Sequence, residues 1–327
     1  MAMKINGREN QLALYRHEKP ARIPRNSDTA WLRWPGDYKA GGIPEKDWWG
    51  VLWLPQESGG ATIDESQPHI ITDLSKWREQ LTVPDPYKLG NWPEDGIKGT
   101  AHWNRETQVG AIFFHEGHFE RLQSLMGFEN AVCAFYDEDV EDDLRDLFSA
   151  ITEYKIQCLR LTKEYFNPDV IVFQDDWGTE RSMFISPELW HKWIKPEQKK
   201  IVEECHRLGM YFETHSCGHV QEVVGALVDE VGIDSIQTLQ YPANDIRMIK
   251  KEYGDRLVIR GGYDGQTALR DDISDDAIRA RLRESLEVLV PGGNHIPFFY
   301  PFGPTAAHAV ALFEDEIQKY EDEFGPC

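Results

Sequence analysis

DVIVFQDDWGT (169–179) and GMYFETHSCGHV (209–220) are apolar runs of strand length that each end in ionisable side chains. Their unbroken Val, Ile, Phe and Tyr content predicts strands buried on both faces, as in a parallel sheet. Between them Ser186 and Pro187 open a helical stretch, since serine caps a helix and proline fits its first position. Trp190, Trp193, Ile194, Ile201 and Cys205 recur there at helical spacing, Pro196 is expected to kink or divide it, and Gly209 ends it. The result is a strand–helix–strand unit. Outward from it the alternation continues. TQVGAIFFHE (107–116) reads as a strand before helical HFERLQSLMG, and 140–166 reads as a long amphipathic helix. Downstream come strand 234–239, strand RLVIRGG (256–262), a long helix to about Val290, strand NHIPFFYPF (294–302) and a last helix over 304–320. With an early strand over Arg22–Asp28, roughly eight β/α units fit, which predicts an α/β fold: a single (β/α)8 TIM-type barrel.

The expectation is one domain over 1–327, with an N-terminal elaboration in 1–100 and regular β/α units in 101–327. The first part is rich in Pro, Gly and Trp, and KDWWGVLWLP (46–55) contains short strand-like pieces. Trp31, Trp34, Trp48, Trp49 and Trp53 serve either as core or as an aromatic lid over an apolar ligand. An open doubly wound sheet is the competing architecture, but no GxGxxG follows a strand.

A formal charge of −21 argues against nucleic acid as a partner, because phosphate binding needs clustered Lys and Arg. No apolar run reaches the ~20 residues that span a bilayer, so no membrane partner is expected. The polar N-terminus lacks the apolar region of a signal peptide, which points to the cytoplasm. Five widely spaced cysteines without a CxxC pair read as reduced thiols.

Barrel enzymes carry their chemistry at the C-terminal ends of strands. That rule selects His115, Glu116 and His118; Asp175 and Asp176; Glu213, His215 and Cys217; Gln237 or Gln240; Tyr263 and Asp264; and Tyr300. Residues two apart in a strand share a face, so Glu213, His215 and Cys217 project together. Carboxylate, imidazole and thiolate are all zinc ligands, and catalytic zinc keeps a position open. The blander reading is a hydrogen-bonded histidine and an inert thiol. Adjacent Asp175 and Asp176 point to opposite faces, so one enters the site while the other caps a helix or pairs with a base.

GRENQLALYRHEKPARIP, DWWGVLW, FQDDWGTERSMFISPELW, GMYFETHSCGHVQEVVGALVDEVGIDSIQTLQ and RGGYDGQTAL, with a late PGG, together resemble the uroporphyrinogen decarboxylase superfamily. Within it the chain resembles the corrinoid-dependent methyltransferase branch. The decarboxylases carry an arginine-rich RQAGR segment that grips porphyrin carboxylates. Here NSDTAWLRWPGDY holds one arginine, Arg33, which argues against a polycarboxylate substrate. The resemblance implies a metal, zinc, on His215 and Cys217. The branch's later cysteine would fall near Tyr300, where there is none, so either Glu213, Glu116, His118 or His295 replaces it or the metal is absent. A site with fewer thiolates suits an oxygen ligand.

The resemblance thus implies a methyltransferase of the O-demethylase type. It would move a methyl group from a small methoxylated aromatic substrate to the cobalamin of a corrinoid protein. Glu213, Asp176 and His118 are the candidate acids, and Glu116, Gln237, Asp264 and Tyr300 the candidate substrate contacts. A homodimer is compatible with this reading. The alternatives are a uroporphyrinogen-type decarboxylase, a thiol-directed corrinoid methyltransferase, and a non-catalytic binding protein.

Overall fold

The computed structural model describes residues 6–35, 44–56, 61–64, 66–263, 273–299 and 306–326. Their strands are, in chain order, β1 (Thr29–Leu32), β2 (Glu45–Lys46), β3 (Leu52–Pro55), β4 (Ala61–Ile63), β5 (Val109–Phe114), β6 (Val170–Gln174), β7 (Tyr211–Ser216), β8 (Ser235–Thr238), β9 (Val258–Gly261) and β10 (His295–Ile296). Seven of them form one parallel sheet in the order β1-β5-β6-β7-β8-β9-β10. The other three, β2, β3 and β4, make a small antiparallel sheet.

Helices α1 (Gly7–Tyr15), α2 (Trp77–Gln80) and α3 (Trp92–Thr100) precede β5. After β5 come α4 (His118–Met126), α5 (Phe128–Ala134) and α6 (Glu141–Tyr165); α7 (Pro187–Arg207) follows β6 and α8 (Gln221–Ala226) follows β7. Then α9 (Ile246–Tyr253), α10 (Asp275–Leu289) and α11 (Ala306–Phe324) follow β8, β9 and β10. Among the described residues no helix is long and apolar enough to cross a membrane, and Cys133, Cys158, Cys205 and Cys217 are free.

The two faces of the large sheet belong to different cores, as the two-residue period of a strand requires. Ile171, Phe173 and Phe212 face the helices with Leu147, Ile151, Trp190 and Ile201. Val109, Ala111, Val170, Val172, Val258 and Ile296 gather on the other face around Leu12, Leu14 and Tyr15 of α1. The sheet curls about this inner cluster. Its two end strands come close, since Trp31 on β1 lies 5.6 Å, ring to ring, from Phe298 just beyond β10. The architecture is thus α/β and TIM-like, with seven parallel strands among the described residues.

Two expectations change. The early strand is Thr29–Leu32, and Asn26–Asp28 is a 3-10 turn. The Asp28 carboxylate accepts from the Arg25 N–H, which bends the chain where the sequence suggested a strand. KDWWGVLWLP, read as short strand-like pieces, contributes to β2 and supplies β3 of the small antiparallel sheet. Pro196 lies inside α7 without dividing it, because Trp193, Ile194, Ile201 and Val202 on either side are buried on one stripe.

The tryptophans are largely core. Trp34, Trp48 and Trp92 form one aromatic cluster, which reaches Phe114 and Phe166. Trp49 and Trp53 flank Asp47, whose carboxylate accepts from the Trp49 and Val51 amides and the Trp53 indole. Asp47 also pairs at 2.7 Å with Arg121 on α4, both side chains fully buried. This contact fastens the small sheet to the helical layer.

Removing one partner of a buried pair strands the other charge in low dielectric. Arg121→Ala should therefore lower the unfolding free energy by roughly 3–5 kcal/mol. Lys88→Ala, which breaks an exposed pair with Asp85, should leave it within error. Urea titration of both variants checks the difference.

Candidate active site

The inner face of β7 carries Glu213 and His215, set by register against Ser235 and Gln237 on β8, while Gln237 stands beside Arg260 on β9. Glu213 is fully buried and its acceptors are taken. It receives the Tyr15 hydroxyl at 3.0 Å, Ser235 Oγ at 2.7 Å, Gln237 Nε2 at 2.8 Å and Arg260 Nε at 2.9 Å. Arg260 Nη2 also donates to Tyr15 at 3.1 Å. Glu213 is therefore neither a free ligand nor a free acid. It belongs to the sheet's interior, a layer below the mouth.

The mouth lies one layer further along. Gln237 Oε1 sits 2.7 Å from His215 Nδ1. The other ring nitrogen, Nε2, faces Cys217 Sγ at 3.6 Å and Asp176 Oδ1 at 3.7 Å. Asp176, His215 and Cys217 thus bring an oxygen, a nitrogen and a sulfur within 4.8 Å of one another, all half-buried. They are the one such group of potential metal ligands among the described residues. Burial, together with Asp176 and Glu120, pushes the Cys217 thiol well above its ordinary range. A cation in this position would reverse that preference, since metals bind the thiolate. The donor chemistry fits a divalent ion such as zinc.

Asp176 reaches the trio because two loops cross on glycines. A Cβ on Gly218, which has φ +75°, would stand 2.4 Å from the Gly178 carbonyl. One on Gly178 would stand 2.5 Å from the His219 nitrogen. The close crossing lets Asp176 Oδ1 accept from the Cys217 N–H at 2.8 Å and His219 N–H donate to the Thr179 carbonyl at 2.7 Å. Gln240 Oε1 receives the Gly218 N–H at 2.7 Å, so this glutamine fastens the loop. Asp175 turns the other way and caps α4 by accepting from the amides of Phe119 and Glu120. Of the two adjacent acids, one enters the site and the other caps a helix.

Beside the trio stands an aromatic wall. Phe113 lies 5.3 Å from Trp31, 5.2 Å from His115 and 5.7 Å from His215, ring to ring. Trp31, Phe113, His115 and His215 are all half-buried, so part of each ring is open. Arg260 lies beneath, 5.6 Å from the Trp31 ring and 5.9 Å from Phe298.

The sequence matches the family "Uroporphyrinogen decarboxylase (URO-D)" over residues 62–297, well over half of the chain. The chain belongs to the uroporphyrinogen decarboxylase family. A methyltransferase from Methanosarcina mazei has the same fold over almost its whole length, with a TM-score of 0.72 at 16% identity, covering 97% of this chain and 99% of that one. A xylose isomerase domain protein from Alicyclobacillus acidocaldarius superposes loosely, with a TM-score of 0.37 at 14% identity over 69% of this chain and 81% of that one. No curated protein matches the sequence.

In this family member the remaining candidates fall in different places. His118 is fully buried outside the curled sheet, its Nε2 2.8 Å from Thr152 Oγ1, which donates to Glu197 at 2.7 Å. That contact joins α4, α6 and α7 and sets His118 apart from the trio. His295 is buried with Nε2 3.0 Å from the Gly261 carbonyl, away from the trio. The group within reach of His215 and Cys217 that could serve as a third donor is Asp176, and not Glu213, Glu116, His118 or His295. Gln237 is fully buried between Glu213 and His215, a placement that suits positioning and not substrate contact. Tyr263 stacks on Phe299 and Phe313. Asp264 and Tyr300 lie outside the described residues.

Glu116 is buried at the bend into α4 with φ +62°. It belongs to a group of carboxylates that includes one the sequence reading missed, Glu120. Burial, with Asp176, Glu116 and Asp175 nearby, holds the Glu120 carboxyl well above the usual carboxylate range. Its position in the first turn of α4 follows no strand periodicity. The only signal in sequence is the acid density of HEGHFE.

Burial pushes His118 down to about 4 and His295 down to about 3. In the unfolded chain both bind a proton below about 6.5. Their contribution to stability is thus complete above that pH and is lost as pH falls toward the folded values. Asp175, pushed up to about 6 by burial, acts oppositely between there and its unfolded value near 3.9. Glu120, raised likewise, acts with Asp175, so the contribution of His118 is read by difference. In chemical denaturation His118→Gln should lose less stability than the unsubstituted chain on going from pH 7 to 4.5. An equal loss in that variant would remove His118 from the account.

Proposed function

We propose that this chain is a corrinoid-dependent methyltransferase that takes the methyl group from a small aryl methyl ether. The observation that carries the reading is the half-buried trio of Asp176, His215 and Cys217 opening beside the rings of Trp31 and Phe113. One thiolate among an oxygen and a nitrogen makes a harder donor set than paired thiolates, and such a set favours an oxygen ligand. Zinc held there would supply Lewis acidity toward the ether oxygen. The aromatic wall offers stacking faces for a methoxyarene.

In the proposed reaction, the electron pair of cob(I)alamin on a separate corrinoid protein forms the cobalt–carbon bond. The methyl–oxygen bond breaks and its pair remains on the aryl oxygen. Glu120, whose carboxyl is held well above the usual carboxylate range by burial and by Asp176, is the proposed source of the proton that the oxygen needs. Asp176 and His215 line the same opening. The decarboxylase alternative is weaker, because the inner-face arginine, Arg260, is already neutralised by Glu213. A porphyrin carboxylate would have to compete with that buried pair.

Purified protein, a reduced corrinoid protein and guaiacol should give catechol and methylcobalamin in equal amounts, followed by chromatography and absorbance. Glu120→Gln should lower kcat by about 10²-fold or more, as removal of a general acid does. Catechol release undiminished without corrinoid would reject the proposal. Conversion of uroporphyrinogen to coproporphyrinogen would favour the decarboxylase instead.

A further inference from the structure

We propose that Glu213 and Gln237 are positioning residues that hold His215 as its Nδ1–H tautomer, with Nε2 bare toward Asp176 and Cys217. The consequence for metal binding rests on the reading above. The tautomer is a property of the metal-free chain.

The direction of each proton follows from the partners. Arg260, Tyr15, Ser235 and Gln237 surround Glu213, and an ionised carboxylate can only accept. The nitrogen of the Gln237 amide must therefore point at Glu213, at 2.8 Å. Its oxygen is then left 2.7 Å from His215 Nδ1. A carbonyl oxygen also only accepts, so Nδ1 carries the proton. In neutral imidazole this leaves a lone pair on Nε2, the atom facing Cys217 and Asp176.

The opposite amide orientation would set a carbonyl oxygen against a carboxylate in a fully buried layer. It would also offer N–H groups to Nδ1 and put the ring proton on Nε2. That proton would occupy the direction a cation needs. The charge on Glu213 selects between the two orientations, and Arg260 keeps that charge in place. A guanidinium enclosed at this depth is costly unless paired, and the Glu213 carboxylate supplies that partner at 2.9 Å. Neither Glu213 nor Gln237 is exposed at the mouth, and their influence on it passes through hydrogen-bond direction alone. Second nitrogens of metal-binding histidines are commonly fixed in this way by outer partners.

Long-range proton–nitrogen correlation spectra of chain labelled at its eleven histidines read the tautomer directly, with His215→Gln identifying the resonance. At a pH where His215 is neutral, a protonated Nδ1 and bare Nε2 are expected before any metal is added. Gln237→Leu should shift the ring toward the Nε2–H form while its thermal melt stays cooperative. Zinc competition against a chelator should then show the variant binding about 10–100-fold more weakly. An Nε2–H ring in the unsubstituted chain overturns the proposal, even if Gln237→Leu does not fold. A protonated Nδ1 in a chain that binds no zinc upholds the positioning and rejects the metal reading.

Discussion

The buried pair of Arg260 and Glu213 is the constraint around which the inner face is arranged. Each charge removed from water carries a penalty of several kcal/mol, and attraction offsets it only with good geometry and with the remaining donors and acceptors satisfied. Tyr15, Ser235 and Gln237 meet that requirement. These groups come from α1, β8 and the strands that hold the pair. A polar contact therefore joins the first helix to three consecutive strands. The surrounding layer of Val109, Val170, Val172 and Val258 could have been continued with apolar side chains. Instead this network makes the orientation of Gln237 dependent on residues as far apart in the chain as Tyr15 and Arg260.

The strand and helix alternation from 107 to 262 was legible because each run was long, apolar and bounded by Gly, Pro or capping residues. The N-terminal part was less so. Beta-forming residues in KDWWGVLWLP signal a strand but not its partner, and pairing in a separate antiparallel sheet leaves no local mark. The site teaches a related lesson about depth. Alternation correctly put Glu213 and His215 on one face. It could not reveal that a step of two residues, about 6.6 Å along the strand, separates an enclosed interior layer from an open mouth. His118 failed for a similar reason. It opens a helix, and the strand-end rule does not say toward which side of the sheet a helix turns its first residue.

In the proposed reading Asp176 would supply the donor that the branch takes from a late cysteine. Asp176 lies just beyond β6, beside β7 in the sheet, so the trio is assembled from neighbouring strand ends with the rings of Trp31 and Phe113 beside it. In that reading the rings would serve recognition while the polar trio would handle the leaving oxygen.

The crossing at Gly178 and Gly218 has a consequence for how such a site can diversify. Two backbones that touch there exclude any side chain from either strand exit. A side chain at either glycine would require the other backbone to move, so the two loops constrain one another. Trp31 and Phe298 stand outside this crossing, and their size is not bound by it. The contact that builds the corner of Asp176 and Cys217 thereby couples the two strand exits that form it.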